Sequence, residues 1–266
     1  MSGETDLGRR LTALAGALVL VACLAACVGP AEPPTQEGTA TTAAEPRPLT
    51  AEEAQRLSVM RFMNFNAGVR SIAFEVDEAG TNYTLQGWVD FTAHLGYAAL
   101  RSENEAALIA WTAETIGSHS PVGDDDLPPL PPPVASADDP DWSTSELAPS
   151  ASRLHAALAV VLEAGHDRPD NPLLLQQTDA RWLRSDEVDG VTVDVVAGPT
   201  SDHAYDPATS TGDGSDATIR YWLDHDSVLR RLEVRLGGSG GWTVVDFGDG
   251  GDVEFADAFT AETGVG

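Results

Sequence analysis

"GVRSIAFEVDEAGTNYTLQGWVDF", Gly68 to Phe91, is the stretch whose reading decides the fold. Apolar residues recur in it at every second position: Ile72, Phe74 and Val76 face one way, and Ala73, Glu75 and Asp77 the other. That period belongs to a half-buried β-strand, because successive side chains on a strand point to opposite faces. Glu78-Ala79-Gly80 supplies a turn. A second strand follows, with Tyr83, Leu85, Val89 and Phe91 on its apolar face and Thr84, Gln86 and Asp90 opposite. Trp88 falls on the polar side of that alternation. It marks either a strand buried on both sides or a lone exposed aromatic residue.

Working outward, "LGYAALRS" (95–102) and "AALIAWTAETIG" (106–117) read as two more strands joined by a polar turn at Ser102 to Glu105. Short connections of this kind build an antiparallel meander. Before Gly68 the period is helical: Thr50 followed three residues later by Glu53 is a capping box, and Val59, Met60, Phe62 and Met63 lie along one broad side. Residues 118–150 carry "DDDLPPLPPP" and "ADDPDW"; consecutive prolines cannot feed a ladder, so this is expected to be an exposed excursion. A second helix is expected from Ser152 to Ala164, with Leu154, Leu158, Val161 and Leu162 in a stripe. The last third returns to strands: "LLLQQTDARWLRSD", "VTVDVVAG", "ATIRYWLD", "VLRRLEVRL" and "WTVVDF". A low-complexity insertion at 199–217 interrupts them and is expected to be disordered. The order helix, strands, loop, helix, strands predicts an α+β domain over 50–260, a mostly antiparallel sheet with two helices on one face.

The chain opens differently. Leu11 to Ala26 is an apolar run after Arg9 and Arg10, too short for a spanning helix, and it fits a secretory signal. It ends in Leu24-Ala25-Ala26-Cys27, which resembles a bacterial lipobox; Leu20-Val21-Ala22-Cys23 matches as well, but the composition changes directly after Cys27. The expectation is a signal peptide over 1–26, acylation at Cys27, and a Pro/Thr/Ala-rich tether over 27–49 with a root-mean-square reach of about 25 Å. A chain so anchored sits on the extracytoplasmic face of the cell membrane. Two acids and two bases leave with the signal, so the net charge stays at −27. A field of that sign repels phosphates and excludes nucleic acid as a partner. All 15 basic residues are arginine. No cysteine pair survives cleavage, so the fold rests on apolar burial.

No residue pattern points to catalysis. Nucleophile elbows, phosphate-cradling glycine loops and His-Glu-x-x-His are absent from the sequence, and the six histidines are scattered. The acidic turns around Asp246, Asp249, Asp252 and Glu254, and around Asp213 and Asp216, do not reproduce a calcium loop. The expectation is therefore no enzyme, no metal and no cofactor. About nine one-sided strands against two helices leave two alternatives: an apolar hollow, or a core filled by the protein's own side chains.

The strand pair at 68–91, with its central Gly87, together with "YWLDHDSVLRRLEVRL" (221–236) and "WTVVDFGDGGDVEF" (242–255), resembles the actinobacterial LppX/LprG-type lipoproteins, relatives in fold of the LolA and LolB carriers. The resemblance implies a curved half-barrel sheet with helices on its concave face and a cavity that carries a lipid or lipoglycan. The wall residues expected on the apolar strand faces are Ile72, Phe74, Val76, Leu85, Val89, Phe91, Tyr97 and Trp111, with Val193, Val195, Tyr221 and Leu223 from the later strands. The alternative is an envelope lipoprotein with a filled core that acts as a structural or protein-interaction module.

Overall fold

The computed structural model describes residues 45–120, 127–131, 142–200, 204–208, 210–237 and 241–254. The signal segment, Cys27 and most of the tether lie outside these residues. Residues Ala43–Gly266 form one compact unit. In chain order the first elements are β1 (Arg47–Pro48), α1 (Ala51–Ala67), β2 (Val69–Glu78), β3 (Thr81–Asp90), β4 (Leu95–Arg101) and β5 (Ala106–Trp111). Then come β6 (Thr115–His119), β7 (Trp142–Glu146), α2 (Arg153–Glu163) and α3 (Pro172–Gln177). The last are β8 (Arg181–Val188), β9 (Val191–Ala197), β10 (Ile219–Leu223), β11 (Leu229–Arg235) and β12 (Trp242–Asp249).

Among the described residues the twelve strands make one open sheet in the order β1-β8-β9-β10-β11-β12-β2-β3-β4-β5-β6-β7, and every neighbouring pair is antiparallel. Two meanders, β2 to β7 and β8 to β12, are joined where β12 pairs with β2. This order dictates what the helices do. β1 sits at one edge and β2 in the middle, about 29 Å away at the usual strand spacing, and the 17-residue α1, about 25 Å long, covers that distance. α2 lies between β7 at one edge and β8 near the other, so the chain recrosses the sheet there. Both crossings bury apolar side chains against the same sheet face.

Four local readings differ from expectation. "LLLQQ" is the helix α3, because Asn171 caps it by accepting from the Leu173 N–H and Pro172 occupies its first turn. The stretch 106–117 divides into β5 and β6, since the Thr112 hydroxyl accepts from the Glu114 and Thr115 N–H groups and turns the chain. The Pro/Asp-rich excursion contains an edge strand, β7, paired with β6, and its Pro128 is buried while the Pro129 carbonyl accepts from the Tyr97 hydroxyl at 2.9 Å. The described part of the 199–217 insertion is also tied down: Arg181 Nε donates to the Gly212 carbonyl at 2.7 Å.

Trp88 resolves as the first of its two alternatives. It packs with Leu95, Tyr97, Ala99, Leu108 and Ala110 on the sheet face away from the helices, so β3 is buried on both sides.

At the centre of the sheet Arg70 holds four segments together. Its Nε donates to the Gly248 carbonyl of β12 at 2.7 Å, its two terminal nitrogens to Asn64 Oδ1 of α1 at 2.8 Å and to the Leu229 carbonyl of β11 at 3.0 Å. Asn64 in turn donates to the Ala164 carbonyl that ends α2, at 2.7 Å. Burial and the nearby Arg230 pull the Arg70 guanidinium down to about 10, still charged at neutral pH. Replacing Arg70 by Met strands three buried acceptors, and an equilibrium urea titration should show a loss of about 3–5 kcal/mol.

At the start of α1, Glu53 accepts from both terminal nitrogens of Arg47 at 2.8 Å and from the Thr50 N–H at 2.8 Å, which closes the capping box and pins β1 to the helix. The Arg47 hydrogen bonds, aided by Thr50, hold its carboxyl at about 2 instead of 4.5. A folded-state value below the unfolded one contributes stability that is complete above the unfolded value and is lost as pH falls through the folded one. Glu53→Gln should therefore cost about 1–2 kcal/mol at neutral pH and flatten the loss of stability between about pH 5 and 2 in the same titration.

Candidate ligand cleft

The expected cavity wall divides between the two faces of the sheet. Ile72, Phe74, Val76, Leu85, Val89, Phe91, Trp111 and Leu223 lie on the helix face, each at most 4 % exposed, in one cluster with Leu57 and Met60 of α1 and Leu154, Leu158, Val161 and Leu162 of α2. They pack directly against these helix residues, so α1 and α2 stand in front of them. Trp111 lays its ring so close to Gly96 that a Cβ there would fall 2.1 Å from it, and its Nε1 donates to the Leu158 carbonyl at 3.2 Å. Phe91 sits against Gly165 in the same manner, 2.3 Å from where a Cβ would stand. Both glycines are open space that an aromatic ring occupies.

Tyr97, Val193 and Val195 are corrections: they belong to the other face. Tyr97 pairs directly with Trp88, and directly opposed residues of an antiparallel pair share a face. Its hydroxyl is spent on Pro129, and burial raises its pKa. Val193 and Val195 pack with Val188 and Trp222 on that face. Their alternation was inverted because the polar member of the strand, Asp194, is the one turned toward the helices, where it meets the Arg56 guanidinium of α1 and accepts from Trp182 Nε1 at 2.8 Å.

Of the expected wall, Tyr221 alone lines a described cleft. This opening, of about 360 Å³, lies where α1, α2 and α3 converge over β10 and β11. Leu57 and Met60, Val160 and Ala164, and Leu175 enter from the three helices, and Ile219, Tyr221 and Leu232 form the sheet side. Burial pushes the Tyr221 hydroxyl up to about 12, so it is neutral and a hydrogen-bond donor at any physiological pH. Three charged residues also line it, Arg61, Glu163 and Asp170, with side chains 26 %, 76 % and 44 % exposed, which puts them at its open side. Arg61 donates from Nε to the Glu163 carbonyl at 2.8 Å and from a terminal nitrogen to the Glu163 carboxylate at 3.0 Å, with Asp170 3.9 Å away. An apolar interior with a charged rim suits an amphiphile, its chain inside and its polar end at the mouth.

The helix-borne part of the cleft was missed. Val160 falls on the less buried flank of the α2 stripe, and Leu175 lies in a segment read as strand. The Asn171-Pro172 pair ahead of three leucines is the signal that marks α3. Among the described residues no group of three or more His, Cys, Asp or Glu is placed to hold a metal ion, and no helix is long and apolar enough to cross a membrane.

No family model matches this chain, and no curated protein does. Among solved structures it is similar to a putative outer membrane lipoprotein-sorting protein domain from Vibrio parahaemolyticus, at 12 % identity and a TM-score of 0.22, over 79 % of this chain and 97 % of that one. A likeness of that size leaves the functional reading to the chain's own geometry.

The filled wall has a measurable consequence. Trp111→Ala should cost about 3–5 kcal/mol in urea unfolding, because the cavity left between β5 and α2 cannot collapse, whereas Trp111→Phe, which loses the hydrogen bond to the Leu158 carbonyl and part of the ring, should cost about 1–2 kcal/mol.

Proposed function

We propose that this chain is a non-catalytic envelope lipoprotein, acylated at Cys27 and held on the extracytoplasmic face of the cell membrane, whose folded body binds an apolar ligand such as the acyl part of a lipid or lipoglycan. We read the sheet as a half-barrel of the LolA/LppX type. The ligand site is the cleft among α1, α2, α3, β10 and β11 and not the sheet's hollow, which Trp111, Phe91 and the two crossing helices occupy. One observation carries this reading: the cleft holds apolar side chains from three helices and two strands while its charges stay on the rim. Its volume of about 360 Å³ is near the small end of natural ligand pockets. It suits one chain segment better than a whole lipid.

The second reading, a protein-interaction module with a filled core, draws its support from the eight expected wall residues that are at most 4 % exposed. Ligand binding separates the two. The Ala43–Gly266 unit, which holds the described core, should bind a fluorescent long-chain fatty acid saturably and release co-purified lipid on extraction. Val160→Trp, set on the outer flank of α2 and turned into the cleft, should lower that affinity at least about tenfold, with the melting temperature unchanged. A unit that binds no fatty acid and carries no lipid in native mass spectrometry is the interaction module.

A further inference from the structure

We propose that Leu173, Leu174 and Tyr205 form a lip that docks on a lipid surface, a second membrane contact beside the acyl anchor. Leu173 and Leu174 are 66 % and 58 % exposed, the highest values among the described large hydrophobic residues, and α3 buries none of its residues. Tyr205, 37 % exposed, is held at the C-terminal end of the same helix: its N–H donates to the Gln177 carbonyl and its ring lies 4.7 Å from the Arg181 guanidinium. Isolated exposed apolar residues need no explanation, but two adjacent leucines and a tyrosine at one end of a strongly acidic body do.

The course of the chain names what covers them. The segment that leads to the N-terminus enters the body at β1, where Pro48 pairs with Arg181 and Arg47 with Trp182. Arg181 follows Gln177 by four residues, at most about 14 Å of chain. The root of the tether and the lip therefore both adjoin the first two residues of β8, and β1, antiparallel to β8, leads the chain from there toward the Val188 end. The tether expected from the sequence, about 25 Å in reach, is long enough to let the lip touch the bilayer.

The chemistry agrees. A net charge of −27 disfavours anionic headgroups. Leucine and tyrosine enter the interface of a zwitterionic membrane without any charge, by burial of apolar area and by the amphipathic phenol ring. Leu175, the next residue of α3, lines the cleft, so docking sets the mouth of the cleft at the bilayer. The inference rests on the reading of the chain as membrane-tethered, and its test is built so as not to depend on acylation.

Both cysteines of the sequence precede residue 43, so Leu174→Cys gives the Ala43–Gly266 unit a single thiol. That unit, carrying an N-terminal histidine tag and a nitrobenzoxadiazole label on the thiol, is tethered to phosphatidylcholine vesicles that contain a nickel-chelating lipid. Nitroxide-bearing lipids should quench the label at residue 174 at least about threefold more than the same label at Glu187→Cys, roughly 20 Å further along β8. Adding Leu173→Ser should weaken quenching at residue 174. Equal quenching at 174 and 187, or no response to Leu173→Ser, overturns the proposal. The tethering and cleft readings fail elsewhere: the first if full-length Cys27→Ala stays on membranes as firmly as the parent chain, the second in the fatty-acid titration of Val160→Trp.

Discussion

The arrangement depends on one buried guanidinium. Arg70 leaves β2 on the helix side of the sheet and donates to Gly248 of β12, 178 positions away in the chain, to Leu229 at the start of β11, and to Asn64 of α1. Its acceptors are a side-chain amide oxygen and two backbone carbonyls. A buried charge satisfied by fixed dipoles tolerates little displacement, because each lost contact leaves a group that water cannot reach. That intolerance makes Arg70 a register pin. It fixes β12 against β2, the single pairing through which the two described meanders become one sheet. Through Asn64 it also sets where α1 ends relative to the last turn of α2.

Once the helices are placed, the capacity of the sheet for a guest follows. α1 and α2 exist because the strand order forces the chain to recross the sheet, and their apolar stripes fill the face they cross. Trp111 and Phe91 complete the filling, each laid over a glycine that offers the room of a missing side chain. Among the openings that remain is one at the periphery, where three helix surfaces meet and do not interdigitate completely. The apolar cleft there is closed at its rim by Arg61, which ties α1 to Glu163 of α2 and to Asp170 ahead of α3. The same few arginines serve a second purpose in a chain with 42 acidic residues. Arg47 and Arg220, paired with Glu53 and Glu233, also stack on Trp182 and Trp242 at 4.4 Å and 4.2 Å, and Arg235 lies 4.4 Å from Trp242. Guanidinium planes suit that use where a lysine ammonium would not.

Local signals were legible in the sequence because local physics decides them. The alternation at Ile72, Phe74 and Val76 is a strand wherever it is placed, and Thr50 with Glu53, and Ser152 ahead of the α2 stripe, cap helices through hydrogen bonds that span three residues. The antiparallel pairing of hairpins such as β2–β3 followed from short turns such as Glu78-Ala79-Gly80. The leucines of α3 were misassigned because a run of three apolar residues has no period of its own, and the cap that settles it lies outside the run.

Sequence alone therefore determined most of the strands, the caps of α1 and α2, the acidic charge and the short hairpins. Tertiary structure decided which side of a strand is inside and whether the inside is empty. Asp194 faces inward because Arg56 arrives from a helix 138 positions earlier. Tyr97 faces outward because Trp88 stands opposite it across the ladder. A strand with apolar residues on both faces has no intrinsic preference between them, and only the partner that packs against it breaks the tie.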